Sequence, residues 1–299
     1  MIRIAKQPKR LASFLSMNSN SDCIVQLGGS CPDKMAQSAL LFHEQTGQLL
    51  FNINCGCPSD RVAQGSFGAV LMRTPEFSCL LMHRKIAEIA CEMKEKVPLS
   101  TISIKSRIGV DDDDSLEFLY NFIHTIHIKA NVKHFIIHAR KALLDGLSPA
   151  ENRTIPPINY QRVYEIAKLF PTLHFTINGE IKNKESIASH LKSNVSSVMI
   201  GRAIYQRPLL FADDEFINPI NVAHEYLAYL QELEKMEFQP SKSILLSPMM
   251  ALFSGRPLSG HFKQLLSKNM TSRKYTAVEC LASALDTLDR INKKLAFSF

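Results

Sequence analysis

The stretch Leu49-Leu50-Phe51-Asn52-Ile53-Asn54-Cys55-Gly56-Cys57-Pro58-Ser59-Asp60-Arg61 passes from a short apolar run into an abrupt polar and glycine break. It reads as a buried β-strand whose end delivers a thiol, Cys57, between an amide, Asn54, and a guanidinium, Arg61, with a proline stiffening the chain beyond. A thiol at the mouth of a strand is placed to act on a ligand and poorly placed to fill a core. Five more runs share this form, at residues 23–29, 99–105, 135–140, 174–179 and 197–202. Between them lie segments of helical period, such as residues 80–97, 115–128 and 160–169. Strands alternating with helices predict a parallel sheet, and near-continuous apolar runs predict strands covered on both faces.

The polar residues fall at the C-terminal ends of these runs: Gln26, Asn54, Cys57, Lys105, Arg107, His138, Arg140, Asn178 and Arg202. A (β/α)8 barrel builds its active site at that face. An open doubly wound sheet is the alternative, but it calls for a Gly-x-Gly-x-x-Gly fingerprint after the first strand, and the sequence has none. Asn178-Gly179 and Gly201-Arg202 set small or basic residues at the last two strand ends, where barrels commonly bind phosphate, so a phosphorylated cofactor is expected. Lys105, with Arg107 following at the same end, is expected to meet an anion or an electron-rich ring rather than to snorkel. His138 beside Arg140 reads as a ligand contact rather than a satisfied core histidine. Cys57 competes with Cys55 for the chemistry. A thiol is a proton donor at neutral pH even with no base beside it. Asp111-Asp112-Asp113-Asp114 cannot all converge on one ion, and reads as capping and dipole pairing for the helix that follows.

The chain of 299 residues is long enough for one large domain and a smaller one. Its apolar content of 45% and charged content of 21% are those of a globular protein, and no run approaches the roughly 18 apolar residues of a membrane span. After about Pro208 no strand run appears, and residues 222–235, 259–268 and 273–296 read as helices. In the last, Val278, Leu281, Leu285, Leu288, Ile291 and Leu295 form one apolar stripe. The formal charge of +7 is concentrated there, with nine Lys/Arg against three acids from Phe238 onward. A basic helical module suggests an anionic partner, nucleic acid being the commonest, against the plainer reading of a solvated face. Seven cysteines without a disulfide spacing fit a reducing compartment, and Cys55-x-Cys57 is too close for a zinc pair. The first 21 residues carry Arg3, Lys6, Lys9 and Arg10 and no acid, a composition shared with organellar transit peptides.

These strand-end residues resemble the tRNA-dihydrouridine synthases, with the bacterial A-type branch the nearest match. The segments that carry the likeness are Val25-Gln26-Leu27-Gly28-Gly29, residues 52–72, Lys105-Ser106-Arg107-Ile108-Gly109-Val110-Asp111-Asp112, residues 135–149, Glu151-Asn152-Arg153 with Ile155-Pro156-Pro157, Thr176-Ile177-Asn178-Gly179 and Met199-Ile200-Gly201-Arg202. The resemblance implies a TIM-type (β/α)8 barrel followed by a small all-helical tRNA-binding domain. It also implies FMN and NADPH as cofactors and no metal. Gln26, Lys105 and His138 would hold the ring and ribityl chain, and Asn178, Gly179, Gly201 and Arg202 the phosphate. Asn54, Arg107 and Arg140 would orient the uracil of a D-loop uridine at position 20 or 20a. A hydride would pass from flavin N5 to C6, and Cys57 would protonate C5. A cytoplasmic monomer is expected, or an organellar one in a eukaryote.

The sequence departs from the family pattern twice. The strand ending in Ala-Pro-Met and the strand after it are not found, so the expected barrel lacks its first two strands. The expected organisation is then a basic linker remnant at 1–21, a flavin-binding barrel at 22–217 and a helical domain at 218–299. Glu180 stands where the family usually has a second glycine, and would repel a phosphate unless turned outward. Two other readings stand beside the synthase: another FMN-dependent barrel acting on a pyrimidine, and a non-catalytic RNA-binding remnant.

Overall fold

The structure is a computed structural model that describes residues 23–59, 65–73, 79–212, 217–236, 240–272 and 274–296. The expected basic segment at 1–21 and Arg61 lie outside these residues. The chain divides into two compact units, Met1–Ile181 with Glu185–Ile200, and Lys182–Lys184 with Gly201–Phe299.

The first unit holds six parallel strands: β1 Val25–Leu27, β2 Leu50–Cys55, β3 Thr101–Arg107, β4 His134–His138, β5 His174–Asn178 and β6 Ser197–Met199. They pair in the order β1-β2-β3-β4-β5-β6. The helices between them are α1 Pro32–Thr46, α2 Cys79–Lys96, α3 Leu116–Ala130, α4 Tyr160–Leu169 and α5 Lys184–Leu191. A doubly wound sheet reverses its strand order once. This one never does, so its crossovers wind in one sense, as successive units of a TIM-type barrel. Among the described residues β1 and β6 each have one strand neighbour.

The helix ends are set by local chemistry. Pro32 opens α1 and Gly47 closes it at φ +71, a left-handed turn suited to glycine. Ser115 Oγ accepts from Phe118 N at 2.9 Å to start α3, and Asn159 Oδ1 accepts from Arg162 N at 3.0 Å to start α4. The aspartate run does not cap α3. Asp111 Oδ1 instead accepts from Leu144 N at 2.9 Å, and Asp114 pairs with Lys141 Nζ at 3.0 Å. These carboxylates pin the loop that follows β4.

The sheet's two faces differ in kind. Val25, Leu27, Phe51, Ile53, Ile102, Ile104, Phe135, Ile137, Phe175 and Ile177 belong to one buried apolar core together with helix residues such as Phe42, Ile86, Ile89, Phe122 and Ile166. The alternate residues are mostly polar, and adjacent strands bring them into rows. One row is Gln26, Asn52, Ser103, His134 and His174; the next is Asn54, Lys105, Ile136, Thr176 and Ser197; the last is Arg107, His138, Asn178 and Met199. Gln26 Nε2 donates to Asn52 Oδ1 at 2.7 Å, and Asn52 Nδ2 to Ser103 Oγ at 2.9 Å. His134 Nε2 lies 2.7 Å from Thr176 Oγ1, which lies 2.5 Å from Ser197 Oγ. The central strands are covered on both faces, as expected, since Asn52 and Ser103 are buried, but the apolar character holds for one face alone. The inner face is polar, and its groups satisfy one another across the strands.

The second unit is helical: α6 Arg202–Gln206, α7 Pro219–Glu234, α8 Lys242–Leu246, α9 Ser259–Thr271 and α10 Ala277–Ala296. Its core gathers Ala223, Leu230, Leu246, Phe253, Phe262 and Leu266 with Leu281, Leu285 and Leu288 of the expected stripe. Leu209 packs on this core, which draws the segment from Gly201 into the helical unit ahead of the 217/218 boundary read from the sequence. Lys242 is turned inward. Its Nζ donates to the carbonyls of Ser272 at 2.5 Å, Tyr275 at 2.8 Å and Asn269 at 3.4 Å, closing the C-terminal end of α9. Arg256, Lys263, Lys268, Lys274 and Arg290 are exposed.

Candidate active site

Because the strands are parallel, β2, β3, β4 and β5 carry their C-terminal residues to one end of the sheet. Asn54, Lys105, Arg107, His138 and Asn178 all lie there, with Cys57 and Arg140 in the loops just beyond.

Asn54 shapes the turn that presents the thiol. Its Oδ1 accepts from Gly56 N at 3.0 Å and from Cys57 N at 3.2 Å, while its Nδ2 makes no hydrogen bond among the described residues. Cys57 is half-buried, its Sγ 3.5 Å from Ser59 Oγ, and its carbonyl accepts from Ala69 N at 2.9 Å. Cys55 is on the opposite face of β2, fully buried in the apolar core, and burial pushes its thiol up. Of the two thiols, only Cys57 lies outside the core.

Lys105 neighbours Asn54 in register. Its ammonium has no hydrogen bond or ion pair among the described residues, and burial, with Arg107 adding to it, lowers its pKa to about 8. Arg107 is 3% exposed and spends its guanidinium on main-chain carbonyls. Nε donates to Gly56 O at 3.1 Å, and Nη1 to Asn152 O at 2.9 Å and Lys141 O at 3.3 Å. It thus straps the Cys57 loop to the loop after β4. Arg140 donates through Nη1 to Pro156 O and pairs through Nη2 with Glu180 Oε1 at 3.0 Å, which leaves Nε buried without a partner. Glu180 therefore commits its carboxylate to Arg140.

His138 is buried at the end of β4, beside Arg107 and Asn178 in register. Gly179 passes its ring at φ +128, and a Cβ there would lie 2.9 Å from His138 Cδ2, so glycine alone suits this position. Tyr160 OH donates to Gly179 O at 2.7 Å, and Asn178 Nδ2 to Met199 O at 2.8 Å. Gln26 is exposed on β1 and joined to Asn52. Gly201 and Arg202 belong to the second unit. Gly201 precedes α6 with open space where a Cβ would stand, and Arg202 is exposed.

Sequence reasoning missed Asn152 as a site residue. It is fully buried, and binds Leu143 through both ends of its amide, accepting from Leu143 N at 2.8 Å and donating to Leu143 O at 2.7 Å. Asn52 and Ser103 were missed too. Their only signal was a polar residue at every second position of an apparently apolar run.

A flavin presents a planar ring rich in acceptor atoms and a phosphorylated tail. The Lys105 ammonium, unpartnered among the described residues, is a donor suited to such a ring. At Gly179 the bare backbone permits close approach. The residues present fit the group. Among the described residues no cluster of three or more His, Cys, Asp or Glu could hold a metal ion, and no helix is long and apolar enough to cross a membrane.

The model of the family described as dihydrouridine synthase matches residues 3–288. The chain is 40% identical over 255 residues to the tRNA-dihydrouridine(20/20a) synthase of Shigella flexneri, covering 82% of this chain and 71% of that one. It is 38% identical over 266 residues to the enzyme of the same name from Vibrio cholerae, covering 86% and 77%. Among solved structures, morphinone reductase in complex with tetrahydroNAD aligns with a TM-score of 0.44 and 12% identity, over 60% of this chain and 47% of that one.

Proposed function

The chain belongs to the dihydrouridine synthase family, and we propose that it reduces uridine to 5,6-dihydrouridine in the D-loop of tRNA, at position 20 or 20a, using FMN and NADPH. The observation that carries this reading is Cys57, held by Asn54 at the mouth of β2 beside the unpartnered Lys105. A reduced flavin, when bound, supplies a hydride for C6 of the uracil.

The protein's own part is to bind, orient and protonate. The uracil must leave its stack to enter the sheet end. Cys57 Sγ gives its proton to C5, and the thiolate so formed lies in the field of Lys105 and Arg107, both of which interact electrostatically with it. Asn54 Nδ2 is the donor for a uracil carbonyl. Lys105, His138 and Gln26 would hold the cofactor ring and ribityl chain, and Asn178 with Gly179 would hold its phosphate. Arg107 and Arg140, expected as uracil contacts, act on the uracil through the loops they hold. The exposed basic residues of the helical unit face the tRNA backbone.

The test is to purify the full chain, measure bound flavin by absorbance, and incubate it with NADPH and unmodified tRNA. Mass spectrometry should then map dihydrouridine to the D-loop. Cys57→Ala should retain flavin and lose about 10²–10⁴-fold in rate. A folded wild-type chain with neither flavin nor product would overturn the proposal, and tRNA binding in that case would leave the RNA-binding reading standing.

A further inference from the structure

The opposite end of the sheet carries a cavity of about 520 Å³ at the N-terminal ends of β3, β4, β5 and β6. β3 reaches both ends, with Thr101 at the cavity and Arg107 at the candidate active site. At about 3.3 Å per residue its six steps separate the two by about 20 Å. Nothing in the proposed reduction uses this cavity.

Its lining is cationic and rich in hydroxyls. Lys94, Lys133, His134 and His174 contribute to it together with Ser100 and Ser197, and none of the residues around it is a carboxylate. Lys94 Nζ spends two donors on Ala130 O at 2.8 Å and Asn131 O at 3.1 Å, closing the end of α3, and keeps a third. Among the described residues the Lys133 and His174 side chains have no hydrogen bond or ion pair. His134 and His174 are direct neighbours in register, so two imidazoles lie side by side without an acid between them. Burial, with Lys133 contributing, holds Lys94 below its ordinary value, and burial, with His174 contributing, does the same to His134. Two ammonium groups and two imidazoles thus face one cavity whose lining holds no carboxylate.

Ser100 supplies the independent observation. It is 8% exposed, it lines the cavity, and among the described residues its Oγ has no hydrogen-bond partner. A buried hydroxyl left unpaired is unfavourable, and the penalty is removed when an acceptor occupies the cavity. A water would satisfy the hydroxyl and leave the cations unbalanced. A tetrahedral anion satisfies both, because its several oxygens can accept from ammonium, imidazole and hydroxyl donors arriving from different strands.

We propose that the N-terminal end of the sheet is a second binding site, specific for a phosphate group on a ligand of nucleotide size, built from Lys94, Lys133, His134, His174 and Ser100. The volume exceeds a bare phosphate and lies in the range of small-molecule sites. Two sources share this chemistry, a free mononucleotide and a backbone phosphate of an RNA chain.

The experiment uses the full chain with ¹³C-labelled histidine, its His134 and His174 imidazole signals assigned through His174→Asn. Orthophosphate, a nucleoside 5′-monophosphate and a short single-stranded oligoribonucleotide are titrated separately. Saturable shifts of both imidazoles are expected with orthophosphate and more strongly with the mononucleotide. Displacement of orthophosphate by the oligoribonucleotide assigns the site to an RNA backbone, and its failure to displace assigns the site to a free nucleotide. Lys133 and His174 are exposed, so the double variant Lys133→Ala/His174→Asn should fold and should weaken binding by at least about tenfold. Ser100→Ala should weaken binding without lowering the thermal stability of the unliganded chain. Absence of saturable shifts, or equal affinity in wild type and the double variant, overturns the proposal.

Discussion

At the scale of single residues, the site depends on one guanidinium whose hydrogen bonds, among the described residues, all go to main-chain carbonyls. Arg107 is buried and joins Gly56 O, Asn152 O and Lys141 O, so the loop bearing Cys57 and the loop bearing Asn152 are held by the same side chain. Arg107→Met keeps the packing of the stem and removes the donors. It should destabilise the chain by about 2–4 kcal/mol, read as a lower denaturant midpoint, because buried carbonyls lose their partner. It should also lower the rate of dihydrouridine formation while leaving flavin binding largely intact. An unchanged midpoint would show that the strap carries no energy. Asn152 and Glu180 act on the same scale. One closes the loop after β4 on itself, and the other anchors Arg140. The sequence marked Glu180 as out of pattern but gave no partner for it, because the partner is a residue 40 positions away across two strand ends.

At the scale of elements, the strands were legible and their faces were not. The six apolar runs all became strands in the expected places, because β-branched runs ending in glycine or polar residues leave few alternatives. Helices α2, α3 and α4 also matched their period. Helices α1 and α5 were not named beforehand, although Pro32 and Gly47 bracket α1. The polar rows escaped because single Asn, Ser and Thr residues read as interruptions in an apolar run, and only the register shows that they meet. The helical unit begins at Gly201, ahead of the sequence-read boundary, because the packing of residues such as Leu209 on its core is not visible in the residue pattern. Packing between elements also sets a pH dependence. His83 of α2 lies edge-on to Phe118 and Phe122 of α3, with ring centroids 5.7 and 5.2 Å away, and its Nε2 has no partner among the described residues. Burial lowers its pKa to about 4, against weaker opposing effects of Met72 and Asp113. The folded state thus keeps His83 neutral while the unfolded chain protonates it near pH 6.5, so stability is lost as pH falls from about 6.5 toward 4. The loss from this group should reach about 3 kcal/mol. Urea melts across that range should show it, and His83→Leu should flatten the profile; a wild-type midpoint that does not move would refute the assignment.

At the scale of the whole molecule, most of the net positive charge lies in the helical unit, where nine Lys/Arg face three acids from Phe238 onward. The exposed Arg256, Lys263, Lys268, Lys274 and Arg290 all belong to the helical unit, whereas Lys242 is consumed inside it. Binding of tRNA should therefore weaken steeply with salt. Lys263→Ala/Lys268→Ala should reduce the slope of log K against log salt by about 1–2, as expected when two phosphate contacts are lost. Filter binding over a salt series measures this, and a slope equal to that of wild type would place the RNA elsewhere. The polar inner face of the sheet has a thermal consequence. Unfolding exposes hydrocarbon that raises the heat capacity and polar groups that lower it. A sheet that turns apolar side chains to its helices alone, and amide, hydroxyl and imidazole groups to the other side, gains less heat capacity on unfolding than one with hydrocarbon on both. Its free energy should therefore curve gently with temperature, holding a modest maximum over a wide range.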